Sequence, residues 1–226
     1  MPNRLELHRP DPPTKDCTQK AYFVLCRAID ASKSFLAQFV DVRKARNAVG
    51  TPTDVEQDFL RAMLVFASSG LDSMTKHLVR DSLRVVIRAD KGALANFKAH
   101  VRRRLYRDNS LNAELLVEAI VADDPMEILI DGLVVELTSA SLQSSEQLFK
   151  VASYFDVATN RICANQALLT EVFRVRNEIA HEMDVDFAQP NRSRRPRPQE
   201  RMIAYANELF SVGSSLLACV NEKVGA

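Results

Sequence analysis

The chain contains 226 residues, a length that favours a single domain and allows two at most. Its 30 Lys and Arg residues nearly balance 29 Asp and Glu residues, and the formal net charge of +1 argues against a protein that binds nucleic acid with its whole surface. The chain has only 6 glycines. Tight hairpins and phosphate-binding loops need the positive φ angles that glycine adopts, so β-rich folds and glycine-loop nucleotide-binding folds are disfavoured.

Cysteine spacing and hydropathy predict a reduced, cytoplasmic protein. No two cysteines have the C-x-x-C spacing of a zinc site or redox pair, so we expect free thiols, no bound metal and no cofactor. The N-terminus has no apolar signal region, and the longest uncharged apolar stretch, residues 62–71, is about half of a membrane span. Secretion and membrane insertion are therefore not expected. The cysteines are Cys17, Cys26, Cys163 and Cys219.

Prolines near the N-terminus separate an arm from the rest of the chain. They predict a flexible arm over residues 1–16, followed by a single helical domain over residues 17–226. Residues 17–48 carry apolar side chains that are mostly three or four positions apart, and this spacing predicts the first helix.

A second helix is predicted to begin within residues 51–56, where a threonine, an early proline and an acidic residue form a capping pattern. Its apolar stripe continues to Leu83. Residues 83–87 resemble a strand, but they continue the helical pattern without a breaker, and we predict them to be helical. A further helix is predicted over residues 93–106.

The C-terminal half predicts three more helices. Asp124, Pro125 and Glu127 repeat the capping pattern and predict a helix that continues to about Phe155. The remaining elements are a helix over 165–184, a polar loop over 185–198 that is interrupted by prolines, and a helix over 199–223. Long helices joined by loops predict an all-α fold, an antiparallel helical bundle.

One polar cluster stands out beside an apolar stripe of the helix over 165–184. Arg176 and His181 are five positions apart, which places them about 140° apart and about 7.5 Å along the helix axis. They cannot stack as i,i+4 neighbours, but a long guanidinium can lean toward the imidazole. Asn177 and Asp184 share the face of the histidine.

These residue types suit the cleavage of RNA. Cleavage requires a proton to leave a 2′-hydroxyl, a proton to reach a 5′-oxygen, and negative charge on phosphorus to be stabilised. Imidazole can perform either proton transfer near neutral pH, and arginine is a permanent cation that binds phosphate in a bidentate manner. A homodimer with a composite active site would supply one histidine as base and another as acid.

The segment Arg176-Asn177-Glu178-Ile179-Ala180-His181 resembles the signature of the HEPN superfamily, in which an arginine and an adjacent polar residue precede a histidine in a late helix of an all-α domain. Residues 66–72 and 76–80, the loop after the motif and the closing helix are similar to the RiboL-PSP-HEPN branch. The resemblance covers roughly residues 20–224.

The resemblance implies a dimeric, metal-independent endoribonuclease that acts in toxin–antitoxin, abortive-infection or antiviral defence systems, with an antitoxin or defence protein as partner. Arg176 and His181 would be catalytic, and Asn177 would polarise or orient them. Toxins controlled by nucleotidyltransferase-type antitoxins commonly carry a tyrosine two positions after the histidine. Met183 occupies that position here and argues against this form of control.

Two acidic residues are candidate supports for the cluster. Asp184 shares the face of His181, and Asp72 lies in the earlier segment that carries part of the resemblance. An aspartate in a helix commonly serves as a cap or in a surface ion pair, which is the alternative for Asp72.

Two basic segments are candidate RNA contacts. The loop over 191–197 contains four arginines and no acidic residue, which predicts a mobile phosphate clamp, with a disordered solvated loop as the alternative. The run from Lys98 to Arg107 either contacts RNA phosphates or forms a solvated helix face. The arginines of the loop are Arg192, Arg194, Arg195 and Arg197.

Two functions remain open at this point. The first is a metal-independent endoribonuclease that cleaves RNA by attack of the 2′-hydroxyl. The alternative is a non-catalytic all-α HEPN-like dimer that binds RNA, nucleotide or a protein partner through the same surface.

Overall fold

The computed structural model describes residues 9–106 and 113–224, and over these ranges the protein is a bundle of nine helices without a β-strand. The predicted all-α antiparallel bundle is confirmed. The helices are α1 (Asp16–Ala45), α2 (Asp54–Ala89), α3 (Lys91–Tyr106), α4 (Ala113–Val121), α5 (Pro125–Ser139), α6 (Ser145–Tyr154), α7 (Thr159–Ile162), α8 (Gln166–Glu182) and α9 (Gln199–Lys223).

Helix α2 begins at the predicted capping pattern. The Thr53 hydroxyl accepts a hydrogen bond from the Glu56 N–H at 3.3 Å, and the Glu56 carboxylate accepts one from the Thr53 N–H at 2.7 Å. The same carboxylate is buried and pairs with Arg43 and Arg46 of α1, each at 3.1 Å. The Thr53 N–H and these two guanidinium groups hold the pKa of Glu56 below its usual range. The start of α2 is thereby fixed to the end of α1.

Helix α2 is the centre of the core and packs against α1 on one side and α9 on another. Gly70 permits a close approach of α1 to α2, because a Cβ added at this position would lie 2.1 Å from the Cβ of Ala28. The apolar stripe of α2 is fully buried through residues such as Leu64, Leu71 and Leu78. The strand-like residues 83–87 belong to α2 and are helical, as predicted.

Helix α9 supplies the other half of the core. It is the one helix in the described ranges that is long and apolar enough to cross a membrane, but most of its apolar surface is buried against α1 and α2. Leu209 and Leu216 are fully buried, and Gly213 lies against Leu25 and Met74. Its hydropathy is therefore that of a core helix.

The predicted helix over residues 124–155 is wrong as a single element, because the structure divides it into α5 and α6. Leu142 lies in the connection with its side chain buried, and its N–H donates to Asp72 Oδ1 at 2.6 Å. Ser144 then caps α6 by accepting a hydrogen bond from the Gln147 N–H at 3.2 Å. The break therefore depends on a contact with α2. The short helices α4 and α7 were also not predicted.

Part of the predicted N-terminal arm, residues 1–8, lies outside the described residues. The part that is described contacts the bundle. Arg9 forms a salt bridge with Asp30 of α1 at 2.6 Å, and Asn221 of α9 accepts hydrogen bonds from the Thr14 and Lys15 N–H groups at 3.1 and 3.2 Å. Residues 9–15 are therefore attached to both α1 and α9.

Candidate active site

Helix α8 carries the predicted catalytic cluster on a face directed away from the core. Asn165 caps the helix by accepting a hydrogen bond from the Leu168 N–H at 3.0 Å. The side chains of Val172, Val175 and Ile179 are buried and fix the opposite face of the helix against the bundle. The amphipathic pattern thus determines which residues of α8 remain accessible.

The structure brings Arg176, Asn177 and His181 together. Arg176 Nη1 donates to Asn177 Oδ1 at 3.0 Å and lies 3.5 Å from His181 Nε2. The guanidinium leans along the helix to reach the imidazole, as the five-residue spacing allows. A guanidinium can only donate hydrogen bonds, so His181 Nε2 must be the acceptor in this contact. The contact therefore favours the imidazole tautomer whose proton is on Nδ1. His181 and Asn177 are exposed, and Arg176 is half-buried.

Burial sets the electrostatics of Arg176. Desolvation lowers the pKa of its guanidinium, and the negative charge of Asp72 acts in the opposite direction. Arg176 Nε is buried and has no hydrogen-bond partner in the described part of the chain. Arginine remains charged despite such shifts, so the site presents a partly desolvated cation beside an exposed imidazole.

Asp72 supports the site through charge and makes its direct contacts elsewhere. Its Oδ1 accepts the Leu142 N–H, and its Oδ2 lies 3.1 Å from Lys76 Nζ in an i,i+4 ion pair. The ion pair that is the alternative role for Asp72 is thus present together with the electrostatic effect of Asp72 on Arg176. Asp72 therefore ties α2 to the α5–α6 connection and acts on Arg176 of α8 through its charge alone.

Asp184 occupies a different position from the one its spacing predicts. Helix α8 ends at Glu182 rather than at residue 184, because Met183 and Asp184 adopt left-handed φ angles of 52° and 62°. The Asp184 side chain is fully buried, and its carboxylate accepts hydrogen bonds from Arg61 Nε at 2.8 Å and Arg197 Nε at 2.9 Å. Asp184 therefore holds the end of α8 and does not share a face with His181.

Arg61 was not identified from the sequence, although it is an arginine within the apolar stripe of α2. It is only 2% exposed. Besides Asp184, its guanidinium binds the Asp58 carboxylate at 3.0 Å and the Arg195 carbonyl at 3.0 Å. A buried cation needs such partners, so the position of Arg61 in an apolar stripe was the available signal. We call Arg61, Asp184, Arg197 and Glu178 the anchor cluster.

Arg197 completes the anchor cluster. Its Nη2 donates to Glu178 Oε2 at 2.8 Å, one turn before His181, and the Asp184 and Glu178 carboxylates raise its pKa. The predicted role of Arg197 in binding substrate conflicts with this burial, because both of its carboxylate partners already neutralise it. Arg197 instead joins the start of α9 to the last turns of α8.

Arg194 and Arg195 of the loop are held more firmly than a mobile clamp would be. An isolated bridge pairs Val185 with Arg194, and the Asp186 N–H donates to the Ser193 carbonyl at 2.8 Å. Arg194 pairs with Asp58 at 2.6 Å, and Arg195 donates to the Val185 carbonyl at 2.7 Å. Arg195 also lies 3.4 Å from Glu182.

Arg192 differs from these three arginines. It is exposed at the tip of the loop, with a φ of 49°, and it pairs with no carboxylate among the residues that the structure describes. Of the four predicted substrate-binding residues, Arg192 is therefore the one whose charge is available to a phosphate.

The second basic segment lies on α3. Lys98, Arg102 and Arg103 are exposed, and none of them forms an ion pair within the described ranges. Arg104 lies 3.7 Å from Glu136, and Arg107 falls outside the described residues. No group of three or more His, Cys, Asp or Glu side chains with the arrangement of a metal site occurs among residues 9–106 and 113–224.

Comparisons with known proteins found no matching family model, no similar curated protein and no similar solved structure. The resemblance to HEPN proteins is accordingly carried by the motif in α8 and its helical context.

Proposed function

We propose that the protein is a homodimeric, metal-independent endoribonuclease whose active site contains Arg176, Asn177 and His181. The observation that carries this proposal is the 3.5 Å separation between Arg176 Nη1 and His181 Nε2 on an accessible face of α8. A phosphate-binding cation and a proton-transfer group are thereby adjacent, and they are the two kinds of group that RNA cleavage requires.

The reaction consists of an in-line attack within the RNA. One imidazole takes the proton of the 2′-hydroxyl, and the oxygen attacks phosphorus. The Arg176 guanidinium stabilises the charge that develops on the phosphoryl oxygens. The bond to the 5′-oxygen breaks as that oxygen receives a proton from an acid. The products are a 2′,3′-cyclic phosphate and a free 5′-hydroxyl.

One chain supplies one His181, and the reaction uses a base and an acid. A two-fold axis close to the exposed face of α8 places the second imidazole on the other side of the scissile phosphate. Asn177 accepts a hydrogen bond from Arg176, and this contact directs the guanidinium toward the histidine. RNA cleavage by such a dimer suits a toxin or a defence effector.

The test is cleavage of single-stranded RNA in the presence of EDTA. We expect His181→Ala and Arg176→Ala to abolish turnover and Asn177→Ala to reduce it. His77→Ala and Arg27→Ala change the same residue types outside the cluster and should leave turnover unchanged. An inert wild-type protein, or equal cleavage by the His181 variant, would contradict the proposal. Binding of RNA without turnover would favour the non-catalytic dimer.

A further inference from the structure

A cleft of about 530 Å³ lies between α3 and the first turns of α5, and Arg176, Asn177 and His181 do not line it. Its walls are mainly apolar. Phe97 is buried at its base, Val101 and Leu105 of α3 form one wall, and Met126 and Leu129 of α5 form the other. Its volume falls within the range of about 300–1,000 Å³ that is typical of small-molecule sites.

The edge of this cleft is positively charged. Lys98 and Arg102 are exposed lining residues one turn apart on α3, and like charges at this spacing repel each other. Among the residues that the structure describes, no carboxylate lines the cleft. The nearest acidic residues in sequence, Asp124 and Glu127, are already paired with Arg88 at 2.5 and 2.8 Å. An anion between Lys98 and Arg102 would relieve their repulsion.

We propose that the cleft binds a small amphipathic anion, a single molecule with an apolar chain and a carboxylate or phosphate head group. The chain lies against Val101, Met126 and Leu129, and the head group lies between Lys98 and Arg102. RNA would satisfy the two cations but would leave the aliphatic walls without an apolar partner, so the composition of the cleft favours the amphipathic ligand. This inference is independent of the proposed ribonuclease function.

The experiment is a calorimetric titration of the full chain with dodecanoate below its micelle-forming concentration. We expect saturable binding of one molecule, and binding of dodecyltrimethylammonium that is weaker by about tenfold or more. The double variant Lys98→Glu/Arg102→Glu should lose at least about tenfold in dodecanoate affinity. Arg27→Glu/Lys33→Glu makes the same change of net charge on exposed residues of α1 and should retain the affinity.

Leu129→Gln tests the apolar wall in the same way and should also weaken the binding of dodecanoate. Circular dichroism of each variant confirms that its helix content is retained. The proposal is overturned if dodecanoate shows no saturable binding, or if the two amphiphiles bind equally well. It is also overturned if the variants at Lys98 and Arg102 bind like the wild type. A single-stranded RNA that binds through Lys98 and Arg102 where dodecanoate does not would identify a nucleic-acid surface instead.

Discussion

Arg61 of α2 and Asp184, which follows the end of α8, form a salt bridge of 2.8 Å between two side chains that are almost completely buried. The pair connects segments 123 positions apart in the chain. It also connects the helix that carries Asp72 to the helix that carries His181. The anchor cluster thus gives the candidate active site a support that neither helix supplies alone.

Replacement of Arg61 by Met should destabilise the protein strongly. Removal of one partner leaves the buried Asp184 carboxylate with an incomplete set of charged partners, and breaking a buried pair in this way costs about 3–5 kcal/mol. Urea unfolding monitored by circular dichroism measures this loss. Arg201→Met removes an exposed ion pair with Glu171 and is the control, with a much smaller change expected. Equal effects of the two substitutions would contradict the role of the anchor cluster.

Asp184→Asn should alter the environment of His181 at a distance. The substitution keeps the size of the side chain but removes the charge that binds Arg197. Arg197 also binds Glu178, one turn before His181, at 2.8 Å. We therefore expect the last turn of α8 to loosen and the contact between His181 and Arg176 to weaken.

The measurement for this variant is the NMR resonance of the imidazole Cε1–H groups. The His181 resonance should shift in Asp184→Asn while that of His77 stays in place. Glu171→Gln removes the ion pair with Arg201 earlier in α8 and serves as the control, with no shift of the His181 resonance expected. An unchanged His181 resonance in Asp184→Asn would show that the anchor cluster does not position the histidine.

Gly70→Ala tests the close approach of α1 and α2. The added methyl group would lie 2.1 Å from the Ala28 Cβ, so the helices must separate, and overpacking of this kind costs about 1–3 kcal/mol. The double substitution Gly70→Ala/Ala28→Gly should recover most of the unfolding free energy. Ser69→Ala changes an exposed position of the same helix and is the control. A neutral Gly70→Ala variant would contradict the packing described here.

Stability should decrease as the pH falls through the titration of His100. This side chain is buried, with Nδ1 2.9 Å from the Tyr154 hydroxyl. Burial lowers its pKa below the ordinary value of 6.5, and Glu136 opposes the shift while Arg104 and Lys150 add to it. Because the folded state has the lower pKa, the unfolded state binds the proton more readily. The stabilising effect is therefore present above the unfolded pKa and is lost at lower pH.

Urea unfolding at about pH 7.5 and about pH 5.5, on either side of the ordinary histidine pKa, measures this dependence. His100→Gln should reduce the difference between the two conditions. His77→Gln changes a histidine of α2 and is the control. This variant should retain the difference in stability between the two pH values. The interpretation fails if the two variants show the same dependence on pH.

The elements that could be predicted from the sequence are those whose signals are local. The cap at Thr53 marks the start of α2, and the cap at Asp124 followed by Pro125 marks the start of α5. The regular apolar stripe of α9 matches its span of Gln199–Lys223. The contact between Arg176 and His181 also arises within one helix. The side-chain length and helical spacing were sufficient to predict it.

The features that could not be predicted depend on distant parts of the chain. The break after α5 is held by the Leu142 N–H and the Asp72 carboxylate, which are 70 positions apart. The loop arginines were expected to be free because their loop contains no acidic residue. Their partners come from other segments, such as Asp58 for Arg194 and Glu178 for Arg197. Local charge patterns therefore did not indicate which cations were neutralised.

The most direct test of the proposed endoribonuclease is the chemistry of the cleaved RNA ends. Purified wild-type protein is incubated with a single-stranded RNA and EDTA, and the products are analysed by mass spectrometry. We expect 2′,3′-cyclic phosphate ends, no cleavage at a position that carries a 2′-deoxy substitution, and no products from His181→Ala. Cleavage at the 2′-deoxy position, or identical products from His181→Ala, would contradict attack by the 2′-hydroxyl at this site.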